Sequence, residues 1–207
     1  MPRNSAWTIP RPRIETLSDL VFGLALSIGA LSLISKTPSK PGDILSAVLG
    51  FGFSFIILIS VWLRYTWIMS ALPLETATAV SLNIALLFLV SVEPYLLSLV
   101  NIAEAISMFD YASIAYAIDL AGLMAILGLF THMLTIKEKK LLPAHMLGRQ
   151  KRNRNALFFS TFLFLISTLP QFLAWRFDGT PLRVIFWYVS LILLWSLRVP
   201  GVWRRNR

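Results

Sequence analysis

The sequence predicts an all-α integral membrane protein with six transmembrane helices per chain. Composition is the first reason. Hydrophobic residues make up 57% of the 207 and charged residues only 14%, against about 45–50% and about 25% in a soluble domain. Mean hydropathy is +0.71. The second reason is arrangement: the apolar residues gather into six blocks, each near the roughly 20 residues a helix needs to cross the hydrocarbon. The third is that the excess positive charge of +9 sits between those blocks. Arginines so placed set membrane topology, and nucleic acid is not an expected partner. There is no cysteine, which excludes a disulfide-stapled secreted domain, zinc-thiolate sites, haem attachment and thiol redox chemistry.

The spans follow in order. The first covers 17–35, behind Arg11 and Arg13. That basic flank also suits a signal peptide, but no small-x-small cleavage site followed by a soluble mature chain is present. The second, 44–69, follows a turn cluster at 36–43 that contains two prolines and a glycine. A short connection at 72–75 leads to the third, 76–100. The fourth, 111–136, is the least regular because Asp110 and Asp119 fall in or beside it. A long basic connection, 137–155, precedes the fifth, 156–175. A hairpin at 176–181 precedes the sixth, 182–199. The whole chain reads as one transmembrane domain, 1–207, with no room for a soluble catalytic domain. No nucleophile elbow, zinc-protease helix motif, P-loop or metal-ligand spacing occurs. No enzyme activity, cofactor or resident metal is expected.

Lysine and arginine orient the bundle. With the N-terminus inside, fifteen basic residues fall on inner segments and four on outer ones. Both termini and the 137–155 connection are therefore expected in the cytoplasm. That connection is basic enough to attract anionic lipid, although a flank that stops transfer has the same composition.

A charge within a span costs about 2.5–3.5 kcal/mol even on lenient scales, so each needs a partner or a purpose. Asp19 lies at the start of the first span, where Ser18 and Asp19 read either as an N-cap pair or as part of a polar knot. Arg13, Arg64, Trp62 and Asn83 fall at the same inner level. A knot of Ser18, Asp19, Trp62, Arg64 and Asn83 would lock the first span to the second and third, with Arg64 as the expected partner of Asp19. Glu93, before Pro94, reads as interfacial or as part of an outer vestibule. Asp119 has no evident basic partner. A proton relay from Asp119 to His132 would have to cross roughly 20 Å of helix.

Within the first span Leu24, Ile28, Leu31 and Ser35 recur at helical spacing and form one apolar stripe. Ser27 stands beside it. Gly23, Ala25, Gly29 and Ala30 flank it, and small residues let helices approach closely in a bilayer. The span reads either as a tightly packed central helix or as one that lines something.

The stretch Arg13-Ile-Glu-Thr-Leu17-Ser18-Asp19 resembles the R-x-x-x-F-S-D motif that opens the first helix of the transmembrane-protein-175 potassium channels. Val61-Trp62-Leu63-Arg64-Tyr65 resembles the family's second helix, where a tryptophan is followed by histidines. Residues 81–94, with Asn83 early and Pro94 at the end, resemble its third. The resemblance is specific over 13–35 and 51–100 and architectural elsewhere. Leu17 replaces the motif phenylalanine, and Arg64 and Tyr65 stand where histidines are frequent, so the partners around Asp19 must differ.

The resemblance implies a homotetramer with four copies of helix 1 around a central pore and no carbonyl-loop filter. Carried over by position, it makes Leu24 the narrow apolar ring, Ser27 the neighbouring hydroxyl layer, and Ile28 and Leu31 the upper rings. It implies a potassium-permeable channel of a prokaryotic plasma membrane, conducting K+ passively, with other monovalent cations less favoured and membrane lipids and further copies of itself as partners. The rivals are a small proton-coupled transporter using Asp19 or Asp119, and a non-conducting scaffold. Transporters usually carry inverted repeats or broken helices, and no convincing internal repeat is found.

Overall fold

The computed structural model describes residues 11–31, 33–34, 41–72, 76–102, 106–137, 144–177 and 180–196. Six long helices make up the fold: α1 (Arg11–Leu31), α2 (Pro41–Ala71), α3 (Ala77–Ile102), α4 (Ile106–Lys137), α5 (Ala144–Ile166) and α7 (Leu182–Ser196). Between α5 and α7 lie the one-turn α6 (Gln171–Ala174) and two antiparallel two-residue strands, β1 (Arg176–Phe177) and β2 (Thr180–Pro181). Arg176 pairs with Pro181, and Phe177 with Thr180. The hairpin expected at 176–181 is this strand pair.

Four helices are long and apolar enough to cross a membrane: Ile14–Leu31, Ala47–Ala71, Ala77–Asn101 and Met108–Ile136. α7 has a shorter apolar run, Leu182–Ile192. Helix α5 differs from expectation in a way that explains its absence from that set. The basic stretch read as a connection is helical from Ala144 onward, so the first half of α5 is charged and only the second half apolar. Arginine, lysine and glutamine are good helix formers, and no proline or glycine after Gly148 interrupts them. Helix α1 also begins six residues earlier than the apolar block, at Arg11. Pro12 is tolerated there because the first turn has no intrahelical use for its N–H. The chain segments at 36–40, 73–75, 138–143 and 197–207, and Ser35, lie outside the described residues.

Burial separates the helices. In α4, 67% of the apolar window is buried, against 22% in α1, so α4 is the axis of the bundle and α1 lies at its edge. Two glycines let neighbours reach α4 closely. A Cβ at Gly122 would stand 2.7 Å from Leu89 Cδ1 of α3, and one at Gly128 3.0 Å from the Phe158 ring of α5. The core joins Phe22 and Ala25 of α1, Leu58 and Val61 of α2, Leu86 and Val90 of α3, Leu120 and Leu123 of α4, Phe164 of α5 and Trp187 of α7. Tyr116 and Trp187 meet edge to face at 5.1 Å, a favoured aromatic geometry.

The candidate pore helix and its polar anchors

Helix α1 has two unlike faces. Phe22 and Ala25 are 2% and 1% exposed, whereas Leu24, Ile28 and Leu31 are 53%, 50% and 61% exposed. Gly23, Ser27 and Ala30 share the open side. The stripe read from the sequence is therefore the face that this chain leaves uncovered. Most uncovered faces elsewhere carry large aromatic residues: Phe55 on α2, Phe88 on α3, Phe159 and Phe162 on α5, Tyr188 on α7. The α1 face carries none between Thr16 and Leu31. A Cβ at Gly23 would meet nothing within 4 Å, which leaves room there for a second helix to approach.

Ser27 lies one turn beyond Gly23. Its hydroxyl donates to the Gly23 carbonyl at 2.8 Å. A hydroxyl has one proton and two lone pairs. With the proton turned back into the helix, the oxygen presents lone pairs outward.

At its N-terminal half α1 is pinned to α2. The Ser18 hydroxyl donates to the Ile14 carbonyl at 2.8 Å, and its oxygen lies 2.7 Å from the Tyr65 hydroxyl. Since the serine proton is committed to Ile14, Tyr65 is the donor. Both groups are buried, and Asn83 of α3 interacts with the same Tyr65 hydroxyl. Beside this, the Trp62 indole N–H donates to Asp19 Oδ1 at 2.9 Å. Ser18 and Asp19 lie two turns inside a helix that starts at Arg11, so the N-cap reading is set aside.

One expected pairing is corrected. Asp19 was matched with Arg64, but the hydrogen bond to its carboxylate comes from Trp62. Arg64 reaches α5 instead, where its NH1 donates to Asn153 Oδ1. The physical reason lies in the helix: Arg64 is two positions from Trp62, about 200° around the axis, so both cannot face α1. The indole is the one that does. The knot thus divides into Ser18, Asp19, Trp62, Tyr65 and Asn83 on one side and Arg64 with Asn153 on the other. The side chain of Arg13 is outside the described residues, and Leu17 is 54% exposed.

Tyr65 was the residue that sequence reasoning passed over, being noted only as a departure from histidine. Its place next to a motif serine on an adjacent span was the available signal. Two further clusters were also missed. Glu93 is buried rather than interfacial. Its Oε2 accepts from Ser54 Oγ at 2.7 Å and its Oε1 from Tyr116 OH at 2.8 Å. Arg183 of α7 is fully buried, ion-paired with Asp110 Oδ1 at 2.8 Å and hydrogen-bonded to Ser113 Oγ and the Ser167 carbonyl. His132 takes no part in either; its Nδ1 is 3.3 Å from Arg154 NH1.

Further along, α1 packs through Gly29. A Cβ there would be 3.4 Å from the Phe51 ring of α2 and 3.8 Å from Pro94 Cβ of α3. The apolar side of α1 is thus held against two helices at one level and pinned by hydrogen bonds at another.

Residues 13–94 match the family described as endosomal/lysosomal potassium channel TMEM175. The match begins at the arginine of the α1 motif and ends at the proline of α3. Two similar solved structures extend the likeness to the rest of the chain. One is the crystal structure of a lysosomal potassium-selective channel TMEM175 homolog from Chamaesiphon minutus. It has a TM-score of 0.65 at 19% identity, covering 92% of this chain and 98% of that one. The other is a variant of the potassium channel MtTMEM175 bound to a nanobody fusion protein. It has a TM-score of 0.63 at 19% identity, covering 94% of this chain and 93% of that one. At such identity the structures establish a shared fold. No curated protein matches significantly. TMEM175 is a family of channels and not of enzymes. Residues 13–94 thus carry the family's sequence pattern over the first three helices, and nearly the whole chain shares the fold of two solved TMEM175 channels.

Proposed function

We propose that the chain is one subunit of a homotetrameric potassium-permeable channel of a prokaryotic plasma membrane, with both termini cytoplasmic and α1 lining a central pore. The observation that carries the reading is the uncovered face of α1, apolar and free of aromatics, on a helix pinned from behind by Ser18–Tyr65 and Asp19–Trp62. The exposed Ser27 and open Gly23 give that face a hydroxyl and room for close approach, both of use to an axis of four identical helices. Potassium as the permeant ion comes from the family and from the solved channels that share the fold.

In such a tetramer four Leu24 side chains form a ring with no hydrogen-bonding atoms. An ion entering it sheds water without replacement, so the ring acts as a barrier that gates by dewetting and steric closure. Ile28 and Leu31 extend the apolar stretch. The Ser27 layer offers oxygen lone pairs next to it, because each serine proton is already bound to Gly23. Four such oxygens replace part of a hydration shell and give a modest preference for potassium over sodium.

Reversal potentials of the protein in planar bilayers under a potassium/sodium gradient test this. Leu24→Ala widens and wets the ring, so conductance rises and discrimination weakens. Ser27→Ala keeps the width and removes the oxygens, so selectivity falls with little gain in conductance. Phe22→Ala, on the buried face, alters packing more than permeation. Unchanged current and reversal potential in Leu24→Ala, with changes in Phe22→Ala, would move the pore to another face. Flux coupled to protons would favour a transporter.

A further inference from the structure

The channel reading makes no use of two buried carboxyls behind the pore helix. Glu93 is 0% exposed and Asp119 4% exposed. Glu93 is on α3 and Asp119 on α4. Leu89 meets Gly122 and Glu93 meets Tyr116, so the two helices run antiparallel, and one turn beyond the Leu89–Gly122 contact Glu93 and Asp119 share a depth. They are near enough to interact electrostatically.

The proton inventory around them is incomplete. Glu93 accepts one hydrogen bond on each oxygen, from Ser54 and from Tyr116. Each of those hydroxyls has a single proton, and both are spent on Glu93. Asp119 Oδ1 and Oδ2 are buried with no hydrogen-bond partner. The groups facing the pair are Ser54 from α2, Tyr116 from α4 and, beyond Tyr116, Tyr188 from α7. Arg183, the buried base of α7, is engaged by Asp110, Ser113 and Ser167. Among the described residues no lysine, arginine or histidine pairs with either carboxyl. Two adjacent carboxylates without a counter-charge are not stable in an apolar core. Glu93 has the donors that a carboxylate needs. Asp119 has none, and a carboxylic acid would bring its own.

We propose that Glu93 and Asp119 form a buried proton-binding site behind α1, and that its occupancy sets the conductance of the pore. The second half rests on the channel reading; the first does not. The step is the transfer of one proton between Asp119 and water, with no other bond made or broken. Its effect on α1 passes through adjacent residues. Pro94 follows Glu93 directly, and Phe51 lies one turn before Ser54. Both pack on Gly29, between the Ile28 and Leu31 rings. Pro94 has no N–H to give the Val90 carbonyl, so α3 lacks a backbone hydrogen bond at this level and yields when a second negative charge appears beside Glu93.

Two measurements on the full chain in liposomes test the proposal. Infrared spectroscopy, at a pH where exposed carboxyls are ionised, should show a carboxylic-acid C=O band that Asp119→Asn removes. Glu93→Gln keeps the volume of the site and should shift the frequency of that band. Absence of the band in the wild type, its survival in Asp119→Asn or an unshifted frequency in Glu93→Gln would overturn the site. Currents recorded across the same pH range should vary with pH in the wild type. In Asp119→Asn they should lose that response and stay at the wild-type acidic value. A conducting Asp119→Asn with the wild-type pH profile would overturn the coupling. If the bands behave as stated and no variant conducts, the channel reading fails and the proton site stands.

Discussion

Two polar clusters lie about two helical turns apart along α4, and they satisfy burial in opposite ways. At the Asp110 level the charge is balanced. Arg183 is fully buried, and Asp110 Oδ1, Ser113 Oγ and the Ser167 carbonyl surround its guanidinium. Trp187 adds a hydrogen bond to Ser167 Oγ at 3.2 Å. At the Asp119 level there is acid without base, and Asp119 has no donor. The first arrangement fixes three segments to each other through a paired charge. The second has a choice of states. Polar groups are costly at membrane depth in both cases, but only the first returns that cost as rigidity.

The largest expected effect comes from breaking the balanced cluster. Arg183→Met keeps much of the stem volume and removes the guanidinium, leaving the Asp110 carboxylate and the Ser167 carbonyl without their donor, while Ser113 keeps its bond to the Asp110 carbonyl. Removing one member of a buried pair costs about 3–5 kcal/mol. The low end applies, because the Asp110 side chain is 32% exposed and can turn to solvent. Thermal unfolding in detergent should show a clearly lowered midpoint, with a smaller loss in Asp110→Asn. An Arg183→Met protein as stable as the wild type would mean that the cluster contributes no rigidity.

The neutral pair Ser18–Tyr65 falls between these extremes. Tyr65→Phe deletes one hydroxyl and leaves Ser18 still bonded to Ile14. A neutral hydrogen bond contributes about 0.5–1.5 kcal/mol, so a loss of about 1 kcal/mol is expected in the same melts. Because this bond joins α1 to α2, the proposed tetramer should assemble more weakly, read as a smaller tetramer fraction by mass in detergent. A loss of stability without any change in assembly would make Tyr65 an ordinary core contact.

These clusters also show what the sequence made legible. Apolar blocks and basic flanks located five of the six long helices to within a few residues at most ends, because a helix that meets lipid needs a continuous apolar run that shows in the sequence. Helix α5 was misplaced at both ends, because hydropathy reports where lipid lies and not where a helix does: 144–155 is helical but charged, and the span expected to run to 175 leaves the helix at Ile166. The α1 stripe was legible because helical period alone assigns a face. Partner choice was not. Asp19 and Arg64 have opposite charge and similar depth, but the rotation of α2 gave Asp19 to Trp62. Glu93 was read as interfacial because its position before Pro94 marks the outer end of a span. Which neighbour covers it depends on Ser54 and Tyr116, 39 and 23 residues away. Asp110 and Arg183 are 73 residues apart, and only the return of α7 to the start of α4 makes them a pair.

The smallest expected effect has the opposite sign from the first, which sharpens the contrast. Asp119→Leu removes the acid and puts an apolar side chain of similar reach into an apolar neighbourhood that includes Leu120 and Leu123. Two terms compete. The oxygens it deletes have no partner, so no hydrogen bond is lost, and removing an unsatisfied polar group from an apolar site relieves about 1–3 kcal/mol. Against this, leucine is branched where aspartate is flat, and misfit in a packed core costs about 1–3 kcal/mol. The site is tight: Gly122, three residues on, already touches Leu89. The two terms nearly cancel, so the melting midpoint should match or slightly exceed that of the wild type. A loss as large as that of Arg183→Met would show that Asp119 is held by an interaction of its own, and the two clusters would then be alike.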